Sequence, residues 1–132
     1  MQARSPEELP LVFQHHLNAN ELDGLLANYY AEDAVYAPVP GVAVSGDALR
    51  AAVARLVALG AAIDVTVRHV LATDDTALIV LDWTIPAAGM SGVATDVARR
   101  EGDGTWRCIL DNPHGTTQSV DLPAATAATL AG

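Results

Sequence analysis

The sequence predicts an α+β fold in which helices cover one face of a curved antiparallel sheet. Apolar residues recur at helical spacing up to Gly60, and from Ala61 onward they alternate with polar residues at a period of two. A run of helices followed by a run of strands favours helices that are segregated onto an antiparallel sheet. A chain of 132 residues is the size of one domain.

The composition excludes several classes of function. The chain carries 16 acidic residues against 7 arginines and no lysine, which gives a net charge of −9. That charge repels phosphate backbones and anionic lipid surfaces, so we expect no nucleic-acid partner and no membrane partner. Hydrophobic residues make up 51% of the chain, which excludes an intrinsically disordered protein. The 25 alanines against 6 aromatic residues indicate an interior of small side chains, either a packed core or an open pocket.

The same sequence features predict a cytoplasmic protein. The first ten residues contain two glutamates and no apolar segment, so they do not read as a signal peptide. No apolar run approaches the roughly 20 residues of a membrane span. The single cysteine, Cys108, cannot form an internal disulfide, so nothing indicates an oxidising compartment.

Three helices are predicted in the first half of the chain. The first starts at Ser5, which can form a capping box with Glu8, and its apolar stripe includes Phe13 and His16. A second, short helix is capped by Asn20. The third runs from about residue 45 to a glycine C-cap at residue 60.

Five strands are predicted after the second helix. A short strand covers Asp33–Ala37, and the sequence Pro38–Gly41 breaks regular structure. Four longer strands follow, and the last two are joined by a hairpin turn at Asp103-Gly104. The longer strands cover approximately residues 63–71, 77–85, 93–101 and 105–112. We expect a single domain over residues 1–117 and a mobile tail over residues 118–132.

Four motifs carry a resemblance to a known superfamily. They are Leu17–Gly24, Tyr30–Val35, Gly46–Arg50 and the closing stretch Asp96–Pro113. Over about residues 5–115 the chain resembles the nuclear transport factor 2-like superfamily, and within it the ketosteroid isomerase-like and SnoaL-like small bacterial proteins. The resemblance implies a cone-like sheet with three N-terminal helices packed on its concave face, and a homodimer. It implies no single function, because this fold hosts isomerases, dehydratases, cyclases, epoxide hydrolases and non-catalytic binding modules.

The resemblance also suggests where a site would lie. Steroid isomerases of this fold use a tyrosine on the first helix, an aspartate base after the second helix and a protonated aspartate on a later strand. The tyrosine matches Phe13, which has no hydroxyl, and the base matches Ala37, which accepts no proton. Only the strand aspartate is present, as Asp96. We therefore do not expect the steroid isomerase mechanism.

Asp96 is the leading candidate for a catalytic residue. On an alternating strand it shares its face with Ala94 and Ala98, whose methyl groups leave space for a pocket. The alternative is a surface aspartate that forms a salt bridge with Arg99 or Arg100.

The hairpin predicts a partner for Asp96. If Asp103-Gly104 is a two-residue turn, Asp96 lies directly opposite Asp111, and two carboxyl groups that close raise one pKa. The alternative is a β-bulge that shifts the register by one residue and separates them.

Two further candidates among the four histidines, besides His16 of the first helix, are His69 and His114. His69 lies on an apolar strand face, where it is either a core residue or the acid–base partner of Asp96. His114 follows the last strand and is expected near the mouth of the pocket. No pair of histidines has a ligand spacing such as HxxxH, so we expect no metal and no cofactor.

Aromatic residues provide the remaining predictions. Tyr30, Tyr36 and Trp83, together with Phe13 and His16 of the first helix, either line the cavity or belong to the core. Alternation along the last strand predicts an apolar outer surface, on which a second copy would dock to form a homodimer. Its residues would be Trp106, Cys108, Leu110, Val93 and Val97.

The predicted function is binding of a small, mainly apolar organic molecule inside the cone. If the protein is an enzyme, we expect cofactor-free acid–base chemistry: an isomerase, a cyclase or a dehydratase. Asp96 would be the acid or hydrogen-bond donor, and Asp111 or His69 its partner. The alternatives are a non-catalytic ligand-binding or dimerisation module and a pure scaffold with a filled interior.

Overall fold

The computed structural model describes residues 1–115, in which three α-helices are followed by most of a six-stranded sheet. The predicted tail over residues 118–132 lies outside the described residues. Short 3₁₀ turns cover Pro6–Glu8 and Pro86–Ala88. The helices are α1 (Leu9–Asn18), α2 (Leu22–Asn28) and α3 (Gly46–Ala58). The strands are β1 (Tyr30–Val39), β2 (Val42–Val44), β3 (Asp64–Ala72), β4 (Thr76–Ile85), β5 (Met90–Arg100) and β6 (Trp106–Asp111).

The sheet is mixed rather than purely antiparallel. Its strand order is β2-β1-β6-β5-β4-β3, and every neighbouring pair is antiparallel except β1 and β6, which are parallel. The four long strands therefore form the predicted antiparallel meander. The parallel pair arises because β1, which precedes α3 in the chain, pairs with the last strand instead of the next one. This arrangement brings residues of β1 beside the end of β6.

The three helices lie against the sheet as predicted, through apolar side chains at helical spacing. Helix α1 buries Val12 and Leu17, α2 buries Leu25, and α3 buries Leu49 and Val53. Burial of an aliphatic side chain of this size stabilises a fold by about 1.5–3 kcal/mol. These contacts fix the helices over the inner face, where the candidate site lies.

The predicted helix caps differ from the observed ones. The Ser5 hydroxyl donates to the Glu8 carboxylate (3.2 Å) and makes no cap hydrogen bond to the backbone. Asn20 does not cap α2; Glu21 holds that position, and Asn20 adopts a left-handed backbone conformation with φ of 56°. Asn20 therefore ends α1 rather than starting α2.

Strand β2 was not predicted from the sequence. Pro40 and Gly41 form a turn between β1 and β2, and Gly41 has φ of 83°, which glycine adopts without strain. The predicted break at this position is thus a hairpin. None of the helices within residues 1–115 has the length and apolarity needed to cross a bilayer.

Candidate functional site

A pocket opens on the inner face of the sheet, beneath α1 and α3. It contains about 600 Å³ of empty space, including the part open to solvent. Apolar side chains from helices and strands form most of its wall; they include Phe13, Leu56, Val65, Leu81, Ile85 and Ala94. Two carboxyl groups, those of Asp96 and Asp111, line the same pocket. The small alanine beside Asp96 contributes to this space, so the interior is not a filled scaffold.

The two carboxyl groups are buried side by side. Asp96 alternates along β5 with Ala94 and Ala98, and all three face inward. Asp111 ends β6. The exposed fractions of Asp96 and Asp111 are 4% and 8%, and their carboxyl groups lie within hydrogen-bonding reach of each other.

Two deviations from a regular hairpin bring the pair together. The turn contains three residues, Gly102–Gly104, because the Glu101 N–H donates to the Thr105 carbonyl (2.7 Å). That turn alone would shift Asp96 away from Asp111 by one residue. A bulge in β6 then shifts the register back, since Ala98 pairs with Cys108 but Val97 pairs with Leu110.

The residue left over in β6 is Ile109. The alternative expectation from the sequence was a bulge that would separate the two aspartates. The bulge is present, but it compensates the longer turn and restores the facing arrangement. The predicted two-residue turn was wrong, and the predicted juxtaposition of Asp96 and Asp111 agrees with the structure.

Three neighbouring groups donate hydrogen bonds to the carboxyl pair. The Tyr30 hydroxyl donates to Asp111 Oδ2 (2.5 Å), and the Asn112 N–H donates to Asp96 Oδ1 (2.8 Å). The Tyr29 hydroxyl donates to Asp96 Oδ2 over a longer distance of 3.4 Å. Of the two hydroxyl contacts, the one from Tyr30 to Asp111 is therefore shorter than the one from Tyr29 to Asp96.

Burial and these hydrogen bonds affect the pKa values of the two carboxyl groups differently. Burial first, and then the negative charge of Asp111, raise the pKa of Asp96 well above its ordinary value. Burial also raises the pKa of Asp111, to about 6, while hydrogen bonds from Tyr30 and Asp96 limit that rise. The pair therefore shares one proton at neutral pH, and the short hydrogen bond from Tyr30 favours the negative charge on Asp111 and the proton on Asp96.

The alternative of a surface salt bridge for Asp96 is wrong. Arg99 lies on the opposite face of β5, where its guanidinium donates to Asp33 (2.8 Å) and to Glu101 (3.4 Å). These contacts raise the pKa of Arg99 and lower that of Asp33. Asp96 faces the interior and has no arginine partner among the residues described.

His69 does not reach the site, so its prediction as the partner of Asp96 is wrong. A bulge in β3 lies between Val67 and His69, where Arg68 is the extra residue. After the bulge Val70 packs on the core, while His69 and Leu71 face solvent. The period of two used in the prediction fails at this residue.

Two predicted lining residues lie elsewhere. His16 is buried between α1 and α2, where Nδ1 contacts Glu21 Oε1 at 3.1 Å, and it does not border the pocket. Tyr30 lies behind Asp111 and touches the pair through its hydroxyl rather than lining the cavity. Burial raises the pKa of Tyr30 well above its ordinary value, so its hydroxyl keeps its proton and donates.

Four predicted lining residues do border the pocket. Phe13 packs edge-on against Tyr29 with ring centroids 4.9 Å apart, and Tyr36 lines the wall from β1. Trp83 donates from Nε1 to the Pro113 carbonyl (2.7 Å), which holds the segment after β6 across the mouth. That contact places His114 edge-on to Trp83, with centroids 5.6 Å apart.

Tyr29 is a site residue that was not predicted from the sequence. Helix α2 ends at Asn28, and the hydroxyl of the next residue, Tyr29, reaches Asp96. Tyr29 directly follows α2 and Tyr30 begins β1, and the two tyrosines supply one hydroxyl to each carboxyl group. Two consecutive tyrosines at the end of a helix are the signal that was available in the sequence.

The predicted outer face of β6 is also corrected. Trp106 and Cys108 face inward and are buried, because the bulge at Ile109 lies between them and Asp111. Only Leu110 of the three residues faces outward, with 46% of its surface exposed. Burial raises the pKa of Cys108 well above its ordinary value, so its thiol is not a nucleophile.

Comparisons with known proteins agree with this geometry. A family model for the SnoaL-like domain matches residues 12–109. No curated protein matches the sequence.

Solved structures share the fold. A Thiobacillus denitrificans protein, provisionally described as a calcium/calmodulin-dependent protein kinase type II association domain, is 25% identical with a TM-score of 0.63. The match covers 85% of this chain and 95% of that one. A nuclear transport factor 2-like protein of unknown function from Shewanella oneidensis is 17% identical, with coverages of 79% and 91% and a TM-score of 0.65. A ketosteroid isomerase-like protein from Erwinia carotovora is 17% identical, with coverages of 80% and 88% and a TM-score of 0.56.

The family match covers most of the residues that build the pocket. It includes Phe13, Tyr29, Trp83 and Asp96, and it ends two residues before Asp111. The structural neighbours share the curved sheet and its three helices. The chain therefore belongs to the SnoaL-like domain family, and its fold is the one seen in nuclear transport factor 2-like proteins.

Proposed function

We propose that the pocket binds a small, mainly apolar organic molecule with one oxygen atom directed at the carboxyl pair. The observation that supports this proposal is the burial of two adjoining carboxyl groups in the wall of an otherwise apolar cavity. Burying such groups costs stability, and perturbed carboxyl groups in a cleft are typical of functional sites. The ligand class is a ketone, an enone or an alcohol.

The chemistry that we propose is cofactor-free acid–base catalysis: an isomerisation, a cyclisation or a dehydration. Asp96, as the neutral member of the pair, donates to the ligand oxygen in a site from which water is largely excluded. Asp111 holds the negative charge with the help of Tyr30. In a dehydration, Asp96 protonates the leaving hydroxyl as the C–O bond breaks. The carboxylate pair takes the proton from the neighbouring carbon, a C=C bond forms, water leaves, and the pair again holds one proton.

The proposed reaction differs from that of the steroid isomerases. Phe13 and Ala37 stand where those enzymes carry a tyrosine and an aspartate base, so the hydroxyl and the separate base are lacking. The carboxyl pair itself supplies both acid and base. Within residues 1–115, the pocket is lined by one further titratable side chain besides the carboxyl pair and the tyrosines, that of His114 at its rim.

A pair of isosteric probes tests the binding proposal. Acetophenone and α-methylstyrene have nearly the same shape, but only the ketone carries an oxygen acceptor. We expect acetophenone to bind about fivefold more tightly, as one net hydrogen bond predicts. Asp96→Leu should remove the preference, while Asp96→Asn, whose side-chain amide also donates, should keep it. Chemical-shift titration measures both affinities; equal affinities in the wild-type protein would contradict the proposal.

A turnover screen with enones and β-hydroxyketones tests the acid role. Asp96→Asn should abolish turnover while it retains ketone binding, because an amide donates a hydrogen bond but transfers no proton. Unchanged turnover in that variant would overturn the role of Asp96. A ketone preference without any turnover in the wild-type protein favours the second candidate, a non-catalytic ligand-binding module, which the missing base at Ala37 supports.

We also propose that the protein forms a homodimer through the outer face of the sheet. A row of directly paired apolar residues crosses this face from β3 to β1. The row consists of Leu71, Leu78, Val97, Leu110 and Val35. Its three leucines are 71%, 39% and 46% exposed, in that order, and a soluble protein seldom leaves such a patch uncovered.

Sedimentation velocity tests the dimer. Leu110→Arg places a charge inside the row, between Val97 and Val35, and should convert the dimer to a monomer. Leu59→Arg is the matched control, because Leu59 is 53% exposed at the end of α3, away from the outer face. A monomeric wild-type protein, or a dimer unaffected by Leu110→Arg, would contradict this interface.

A further inference from the structure

The end of helix α1 folds back on itself in a Schellman motif. Asn20, in the left-handed conformation, donates its N–H to the Leu17 carbonyl (3.0 Å). Glu21 donates its N–H to the His16 carbonyl (2.8 Å). These are the two hydrogen bonds that define the motif. The residue after the left-handed one is thereby held over the last turn of the helix, where an apolar contact is usual.

In this protein that contact is polar instead of apolar. The Glu21 carboxylate lies over two consecutive histidines, with Oε1 at 3.1 Å from His16 Nδ1 and 3.9 Å from His15 Nε2. The three potential ligand atoms all lie within 4.8 Å of one another. Two imidazole nitrogens and one carboxylate oxygen converge on one point, outside the pocket described above.

We propose that His15, His16 and Glu21 bind a zinc ion, with water as the fourth ligand. Two histidines and one carboxylate form a common zinc ligand set, and an open fourth position is typical when the protein supplies three ligands. Imidazole and carboxylate donors together favour zinc and its neighbours over calcium or magnesium. The sequence-based expectation of no metal considered histidine spacing alone and did not include Glu21.

The surroundings of His16 support its role as a ligand. Its exposed fraction is 5%, and its second ring nitrogen, Nε2, faces the Met1 carbonyl (3.4 Å) and the Asn28 amide (3.2 Å). With Nδ1 on the metal, Nε2 carries the proton and donates to the Met1 carbonyl, and the Asn28 side-chain amide must then turn its oxygen instead of Nδ2 toward this nitrogen. Metal-bound histidines generally donate their second ring N–H to such an oxygen acceptor.

Gly24 fixes the orientation of the His16 ring. A Cβ atom at this position would lie 2.4 Å from His16 Nδ1, so glycine allows α2 to pack directly on the imidazole. The ring is therefore clamped between two helices rather than free to rotate. A preorganised ligand loses less conformational entropy when the ion binds.

The other two ligands are free to complete the coordination. The side chains of His15 and Glu21 are 54% and 51% exposed, so an ion can reach them and they can move. Ligand atoms around tetrahedral zinc lie about 3.4 Å apart. The distance of 3.1 Å between His16 Nδ1 and Glu21 Oε1 is already this short, and the distance of 3.9 Å between His15 Nε2 and Glu21 Oε1 needs to close by about half an ångström. The carbonyl end of α1 and the net charge of −9 both favour a bound cation.

Calorimetric titration of the untagged full-length chain with zinc tests the site. We expect one zinc ion per chain, with affinity reduced by more than about 10-fold in His15→Ala and in Glu21→Gln. His69→Ala is the matched control, because it removes an exposed histidine from the far side of the fold. Its affinity should equal that of the wild-type protein.

A second readout separates loss of binding from loss of the fold. Zinc should raise the melting temperature of the wild-type chain and of His69→Ala, but not that of His15→Ala or Glu21→Gln. Both ligand variants change half-exposed side chains, so their melting temperatures without zinc should stay close to the wild-type value. Absence of zinc binding by the wild-type chain, or equal affinities in His15→Ala and His69→Ala, would overturn the proposal.

Discussion

Two strands of the sheet carry the same irregularity with opposite results. In β6 the extra residue is Ile109, and the residues after it place Asp111 on the inner face. In β3 the extra residue is Arg68, and the residues after it place His69 on the outer face. A single bulge reverses the face of every following side chain. One bulge therefore completes the buried carboxyl pair, and the other removes a histidine from it.

The position of each strand in the sheet explains why the reoriented side chain needs buried hydrogen-bond partners in β6 but not in β3. Strand β6 lies between β1 and β5, so Asp111 is enclosed and receives a hydroxyl from Tyr30. Strand β3 lies at the edge, where Arg68 forms a bidentate ion pair with Asp82 on the solvent side (2.8 and 2.9 Å). A polar group turned outward at an edge is solvated, whereas one turned inward needs dedicated partners.

The largest expected effect is an unusual dependence of stability on pH. A raised pKa means that the native state holds a proton which the unfolded chain releases near pH ~4. The stabilisation is fully present below that pH and is lost as the pH rises through the native pKa of Asp111, about 6. The loss amounts to about 3 kcal/mol. Urea denaturation from about pH 4 to 8 measures it.

Two variants isolate the carboxyl pair as the cause. Asp111→Asn cannot ionise, so the decline between about pH 4 and 6 should become shallower. Asp82→Asn is the control: its partner Arg68 lowers the pKa of Asp82, so that contribution is lost only on acidification below ~4. A steep decline that survives in Asp111→Asn would contradict the assignment.

The next effect concerns the hydroxyl that supports Asp111. Tyr30→Phe should destabilise the protein by about 2 kcal/mol at neutral pH, because a buried carboxylate loses a charge-assisted hydrogen bond. Tyr36→Phe is the matched control, since the Tyr36 hydroxyl has no hydrogen-bond partner within residues 1–115. Thermal denaturation compares the two. Equal destabilisation of the two variants would contradict a stabilising hydrogen bond from Tyr30 to Asp111.

Deletion of Ile109 tests the bulge directly. Without this residue, β6 alternates regularly from Trp106 to Asp111, and Asp111 still faces Asp96. We expect a loss of about 1–2 kcal/mol from the missing partly buried side chain, with the pH dependence retained. Circular dichroism with urea denaturation at two pH values measures both. A deletion variant that folds but has lost the pH dependence would refute this description of the register.

The smallest effect belongs to the bulge in β3. Val70→Ala should cost about 1 kcal/mol, because Val70 packs on the core after the bulge. His69→Ala should change stability by less than about 0.5 kcal/mol, because His69 is exposed. If β3 alternated regularly, His69 would face the core and Val70 would face solvent, so His69→Ala would then be the more destabilising substitution. Denaturation midpoints of the two variants therefore distinguish the two registers.

Much of the fold followed from local patterns. The three helices and the four long strands lie close to their predicted limits, because spacings of 3.6 and 2 residues reflect which side chains face the core. Strand β2 and the parallel pairing of β1 with β6 were not predicted. Pairing between strands so far apart in the chain leaves no signal in local periodicity.

The site was predictable only in part, for the same physical reason. Asp96 could be assigned to the inner face because β5 alternates without interruption from Met90 to Arg100. His69, Trp106 and Cys108 were assigned to the wrong faces because a bulge lay between them and the residues used for counting. The pairing of Asp96 with Asp111 was predicted with a turn one residue too short and no bulge, two errors that cancel.

The sequence by itself determined the class of fold, the acidic surface and an interior rich in small residues, since each depends on composition and short-range periodicity. The tertiary structure decided which polar side chains meet. Tyr29 and Tyr30 reach the carboxyl pair because β1 pairs with β6, and Glu21 reaches two histidines because the chain reverses at Asn20. Such contacts depend on the register of paired strands and on where the chain reverses direction. A shift of one residue in either changes which side chains meet.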